Sequence, residues 1–160
     1  MKKHTLSVTV ENKPGVLTRV ATLFRRRGYN IDSLTVGTTE NPDVSRMTIV
    51  VEGDDRIMEQ VTKQLYKLVD VIKIIDITEE KSVDRELVLV KVKADTNNRA
   101  EIVQIVDIFR ARIVDIGRSS LIIEATGDAG KIDAIEDSLK PFGIIELVRT
   151  GKIAMVRGSR

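Results

Sequence analysis

A single rhythm of apolar residues runs through this chain twice, and a chain that repeats it has few ways to bury its hydrophobic faces. Leu6, Val8 and Val10 alternate with Ser7, Thr9 and Glu11, the period of a half-buried strand. The turn Asn12-Lys13-Pro14-Gly15 follows. Leu17, Val20, Ala21 and Phe24 then recur at the spacing of one helix face. Gly28 stands where a helix end favours a left-handed residue, just after Arg25-Arg26-Arg27. A strand near Tyr29–Thr38, a turn at Glu40-Asn41-Pro42-Asp43 and a strand through Met47, Ile49 and Val51 come next. Gly53-Asp54-Asp55 can cap a second helix, whose stripe is Ile57, Val61, Leu65 and Leu68. The β-branched run Val69–Ile77 closes the unit as a strand.

The order is βαββαβ, and it recurs after Glu79-Glu80-Lys81. Val88, Val90 and Val92 predict a strand. Ile102, Ile105, Val106 and Phe109 repeat the helical spacing of the first unit, and Ile113–Ile116 and Leu121–Ala125 predict two strands around Gly117–Ser120. Ile132, Ile135 and Leu139 form a helix face that Pro141 stops, and Ile144–Val148 makes a last strand. Gly151–Val156 is a further apolar stretch, read as an extension of that strand before the polar tail Arg157–Arg160. Two such units predict an α+β protein of two ferredoxin-like sandwiches, each a sheet with two helices on one face. The expected domains are 1–79 and 84–160, with 80–83 as linker. Exposed edges and Ile- and Val-rich open faces favour pairing with other chains, at least as a homodimer.

Composition removes most catalytic chemistry. The 160 residues contain no Cys, which excludes disulfides, zinc ribbons and cysteine nucleophiles. The one His, at position 4 near an end expected to be mobile, excludes histidine-based metal sites and a Ser-His-Asp triad. A net charge of +2 spread along the chain offers no basic stripe for nucleic acid. Arg46–Gly53, RMTIVVEG, lacks the stacking rings that an RNA-binding sheet of this fold requires. No apolar run approaches the roughly 20 residues of a membrane span, and MKKHTLSVTVEN does not read as a signal peptide. The expectation is a soluble cytoplasmic protein with neither nucleic acid nor membrane as partner.

Among candidate sites the first turn is the most informative. It leads into a helix whose free N–H groups favour an anion, such as an amino acid's carboxylate, and Gly15 would let a ligand approach the backbone. On local sequence the plainer reading is an ordinary strand-to-helix turn, with Asn12 capping and Pro14 in the first helical turn. Asn30 could meet an ammonium or carboxylate group, or simply follow a helix cap. Arg25–Arg27 suits a helix C-terminus better than a phosphate site. The Asp54-Asp55 and Glu79-Glu80 pairs read as solvated, and Tyr29, Tyr66 and the three Phe as packing.

The segments LSVTVENKPGVLTRVATLFRRRGYNIDSLTVG, SRMTIVVEGD and KQLYKLVDV resemble the N-terminal ACT domain of the small, regulatory subunits of acetolactate (acetohydroxyacid) synthase. RELVLVKV, FRARIVDIG and RTGKIAMVRG resemble the C-terminal domain of that family. The likeness spans essentially the whole chain, and no recognisable motif position departs from it.

The resemblance implies a non-catalytic subunit in branched-chain amino-acid biosynthesis. Such a subunit activates a large catalytic partner and confers feedback inhibition by valine. It holds no cofactor itself, whereas the partner carries thiamine diphosphate, Mg²⁺ and FAD. It also implies a homodimer through ACT domains, with the effector between Asn12, Gly15, Val16 and Leu17 of one chain and Asn30 and Ile31 of the other. An apolar pocket separates ligands one methylene apart by only ~1–3 kcal/mol, so leucine and isoleucine stay plausible weaker effectors. A stand-alone ACT-type amino-acid sensor is the alternative. A transcriptional sensor would need a helix-turn-helix, for which no segment is left. An acylphosphatase-like hydrolase would need a catalytic loop that NKPGVLTRV lacks.

Overall fold

The computed structural model describes residues 2–158; of the tail Arg157–Arg160, the last two lie outside them. The first unit consists of β1 (Lys2–Glu11), α1 (Val16–Arg27), β2 (Ile31–Thr38), β3 (Val44–Gly53), α2 (Asp55–Tyr66) and β4 (Val71–Asp76). Its sheet has the order β2-β3-β1-β4. The second contains β5 (Ser82–Lys93), α3 (Arg99–Ile108), β6 (Arg112–Ile116), β7 (Ser120–Gly127), α4 (Ala129–Leu139) and β8 (Ile144–Arg149), in sheet order β6-β7-β5-β8. Both are ferredoxin-like sandwiches. A single 3-10 turn at Lys140–Phe142, with Pro141 in it, ends α4.

The register explains the cores. Leu6 faces Ile49 and Val8 faces Met47, so the middle of one face of β1 and β3 is apolar, with Ser45 opposite Val10 at one end and His4 opposite Val51 at the other. Val20 and Phe24 of α1 and Val61 and Leu65 of α2 pack onto it. In the second unit Val88, Val90 and Val92 lie beside Ala125, Ile123 and Leu121 beneath Ile102, Val106, Ile132, Ile135 and Leu139. Each such side chain contributes about 1.5–3 kcal/mol when fully buried.

Four expectations change. The buried stripe of α1 is Val16, Val20 and Phe24, while Leu17 is 45% exposed and Ala21 is exposed. Apolar residues at 16, 17, 20, 21, 23 and 24 allow two overlapping stripes, and the sheet selects one. The last strand of the first unit starts at Val71, because Val69 and Asp70 belong to a turn and Val69 is 90% exposed. His4 is not at a mobile end. It is 4% exposed in β1, on the same face as Leu6, because β1 pairs with β3 from Lys2 onward. Its Nδ1 lies 3.2 Å from Asp76 Oδ2, and its Nε2 has no hydrogen-bond partner among the described residues.

The fourth change concerns residues 152–158. Gly151 adopts a φ of +89°, which breaks the chain away from β8. A separate strand β9 (Ile153–Val156) then pairs with β5. The compact units are therefore residues up to Val83 together with Lys152 onward, and Asp84–Gly151. Three hydrogen bonds among the described residues hold the returning segment to the first unit: the Lys152 amide donates to Ser33 Oγ at 3.1 Å, the Arg157 amide to the Lys81 carbonyl at 2.7 Å, and Arg157 Nε to the Ser82 carbonyl at 3.2 Å. Ser33 shares a row with Val50 and Thr5 on the sheet face away from the helices. That face is buried at Thr5, Ser7, Thr48 and Val50. The terminal segment thus touches the open face at Ser33.

Candidate functional site

The sequence-predicted site begins where β1 ends. Asn12 is fixed to the β2–β3 turn: its amide donates to the Asp43 carbonyl at 2.8 Å, and its Nδ2 donates to the Pro42 carbonyl at 2.9 Å. One Nδ2 hydrogen is spent there. The other and the Oδ1 acceptor face an exposed position. Asn12 therefore does not cap α1. The cap position is Gly15, with φ +85° and ψ −7°, and no side chain bonds the first-turn amides. The Val16 amide reaches the Lys13 carbonyl only at 3.4 Å. A helix start without a carboxylate or hydroxyl cap keeps its donors and its partial positive charge available.

The residues around this start divide by burial. Val16 is 4% exposed and packs into the core, so only its backbone can serve a ligand. Leu17 presents its side chain outward. Gly15 needs its left-handed conformation, and a Cβ there would meet Arg19 Nη1 at 3.2 Å.

Asn30 and Ile31 lie beyond the other end of α1. Gly28, with φ +69°, ends the helix, its amide donating to the Arg25 carbonyl and that of Tyr29 to Phe24. Asn30 is exposed, and Ile31 is half-buried against the core opposite Val51. A 12-residue helix separates the two groups, about 18 Å at 1.5 Å per residue. One chain thus assembles Asn12, Gly15, Val16 and Leu17 as one cluster and Asn30 and Ile31 as another. It does not bring the clusters together.

Sequence reasoning missed Arg19 and Asp70. Arg19 donates to the Asp70 carboxylate through Nε at 2.7 Å and Nη2 at 2.6 Å, and Asp70 is 5% exposed. The Asp70 carbonyl also accepts from the Glu11 amide. Two guanidinium nitrogens converging on one oxygen, Asp70 Oδ2, thus fix Arg19 beside the uncapped helix start. The only trace in the sequence is Asp70 itself, an acid directly after Val69 at the head of an apolar run. Nearby, Lys13 pairs with Glu11 at 2.9 Å, and that carboxylate holds the Lys13 ammonium above its ordinary value of 10.5.

The remaining motifs have structural partners. Asp54 Oδ1 accepts from the Ile57 amide at 2.9 Å as the cap of α2, and Glu79 pairs with Lys2. The rings of Phe24 and Tyr29 meet edge to face at 6.1 Å. Among the described residues no group of three or more His, Cys, Asp or Glu is placed to hold a metal ion. No helix among them is long and apolar enough to cross a membrane.

Residues 6–73 match the family model for the ACT domain of acetohydroxyacid synthase small subunits, and residues 85–158 that for the small subunit of acetolactate synthase. A probable acetolactate synthase small subunit of Archaeoglobus fulgidus is 63% identical over 158 residues, covering 99% of each chain. This chain belongs to the acetolactate synthase small-subunit family. An acetolactate synthase small subunit of Mycobacterium bovis is 54% identical, covering 99% of this chain and 95% of the relative. The crystal structure of the small subunit from Thermotoga maritima superposes with a TM-score of 0.92 at 45% identity, over the full length of both chains. The uncapped start of α1 lies within the ACT-domain match of this small subunit.

Proposed function

We propose that this chain is the regulatory subunit of a cytoplasmic acetolactate synthase, raising the activity of the large catalytic subunit and making it sensitive to feedback by valine. Thiamine diphosphate, Mg²⁺ and FAD belong to the catalytic partner, and this chain performs no chemistry of its own. The first repeat, residues 1–79, carries the effector site and the dimer contact; 80–83 links it to the second repeat.

The observation that carries this reading is the bare start of α1 around Gly15. An amino-acid carboxylate fits the amides of Gly15–Leu17, with the Arg19 guanidinium adding charge. Asn12 Oδ1 accepts from the ammonium, and the exposed Leu17 side chain packs on the ligand. Val16 contributes its amide alone. In this reading Asn30 and Ile31, a helix length away along α1, come from a second copy, so the effector favours one dimer arrangement. The shift passed to the catalytic subunit is then bounded by the differential affinity of the effector for the two arrangements.

Reconstitution tests the proposal. The chain alone should form no acetolactate from pyruvate, and added to the catalytic subunit it should raise the rate, which valine then lowers. Turnover by the chain alone, or no effect on the partner with and without valine, overturns it.

A further inference from the structure

Between α1 and the end of α2 runs a groove of about 430 Å³ that shares only Arg19 with the effector reading. Its floor is Leu23 and Leu68, and its lining includes Arg19, Arg26, Arg27 and Lys67 but no acidic residue. Arg19 is committed to Asp70. Arg26, Arg27 and Lys67 are exposed and make no side-chain bond or ion pair among the described residues. Arginines at a helix C-terminus are favoured by the dipole. Here, however, the last-turn carbonyls of Arg25 and Phe24 are already bonded by the amides of Gly28 and Tyr29. Lys67 arrives from a different helix end, so three unneutralised cations face one apolar trough.

We infer that this groove docks an acidic segment of the catalytic subunit, one that places an aliphatic side chain on Leu23 and Leu68 and carboxylates against Arg26, Arg27 and Lys67. This rests on the regulatory reading above and names the surface through which the partner is held. Charge complementarity sets the sign of the occupant, and the apolar floor sets its amphipathic character. The groove runs along helix flanks whose backbone amides are consumed inside the helices. It therefore lacks the convergent N–H donors by which a small phosphate is usually cradled.

The test is association of the full chain with the purified catalytic subunit. The triple variant Arg26→Glu, Arg27→Glu, Lys67→Glu should weaken it by about tenfold or more and remove most of its dependence on salt. The neutral pair Arg26→Gln, Arg27→Gln should give a smaller loss in the same direction. Arg25→Glu makes the same charge change on the same helix turn outside the groove and should leave affinity near wild type. Valine binding and the circular dichroism of each variant should be unchanged, which separates loss of docking from loss of fold.

Wild-type affinity in the triple variant overturns the inference while leaving the regulatory reading intact, and so does an equal loss with Arg25→Glu. Loss of self-association with partner binding retained would make the occupant a second copy of this chain. Inorganic pyrophosphate binding that the triple variant abolishes, with docking intact, would make the groove a small-anion site. Failure of the wild-type chain to bind the catalytic subunit removes both proposals together.

Discussion

The two repeats share one fold but begin their first helices differently. Ahead of α3 the turn closes on itself: the Asp95 carboxylate accepts from the amides of Asn97 and Asn98, and Asn98 Oδ1 accepts from the Asp95 amide. Glu101 sits in the first turn, and Arg99 Nη2 donates to the carbonyls of Gly117 and Arg118. Ahead of α1 no side chain bonds the first-turn amides, the cap is a left-handed glycine, and the nearby charge is a guanidinium. Neither start has a side-chain cap bond; what differs is the charge beside it, an acid in the first turn of α3 and a guanidinium near Gly15 of α1. The two repeats thus differ by a handful of residues at one corner.

The largest expected effect comes from giving α1 the carboxylate it lacks. Gly15→Asp places that group on the helix amides and should reduce valine binding by roughly a hundredfold or more, about 2.7 kcal/mol, read by calorimetry. The left-handed φ of Gly15 adds a strain of roughly 1–2 kcal/mol, so a lower melting temperature accompanies the loss. Unchanged valine affinity in a folded variant would erase the functional contrast between the two helix starts. Activation of the catalytic subunit should survive, since the groove of α1 and α2 is untouched.

Next is Asp70→Asn, which removes the buried half of the Arg19 pair. Arg19 is about half exposed, so the cost is reduced by solvent and should be about 1–2 kcal/mol in denaturant unfolding. Valine binding should weaken as Arg19 loses its anchor. Retained stability with weakened binding would sharpen the assignment of Arg19 to the ligand. Smaller again are the caps of the second helices: Asp54→Ala and Asp128→Ala should each cost about 1 kcal/mol, because each accepts from an amide three residues on. Equal losses in the two repeats would show that their difference is confined to the first helices.

The smallest effect is at alkaline pH. Glu11 raises Lys13 in the first repeat, and Asp137 raises Lys140 in the second, both above 10.5. A raised lysine favours the folded state while charged, so this support is present below pH 10.5 and fades as pH climbs through the folded value. Both ammonium groups are fully exposed, and the stability change should be slight. Titration of the two lysines by NMR should show both midpoints above 10.5; a lower midpoint at Lys13 alone would mean that its pair with Glu11 does not persist in solution.

Much of the fold was legible because it rests on periodicity. The alternation at Leu6, Val8 and Val10 and the spacing of Ile132, Ile135 and Leu139 each admit one element and one buried face. Where the pattern was double, as in α1, sequence chose Leu17 and Ala21 beside Val20 and Phe24, and the sheet kept the last two and added Val16. The site was legible in part. Gly28 stood out as a left-handed helix end and Gly15 as a point of close backbone approach, whereas the left-handed φ of Gly15 came from the structure. Arg19 and Asp70 did not stand out, since 51 residues separate the partners of that hydrogen bond. The burial of His4 and the return of residues 152–158 across Ser33 were hidden for the same reason.

By itself the sequence determined two βαββαβ units, their helix ends, and the absence of any cysteine or histidine constellation, because propensity, periodicity and composition act over a few neighbouring residues. Tertiary structure alone decided which stripe of α1 is buried, which helix start is left bare beside an arginine, which three cations face one trough, and where the terminal strand goes. Those outcomes depend on contacts between residues far apart in the chain. Local preference cannot rank such contacts; only the competition of whole faces for burial does.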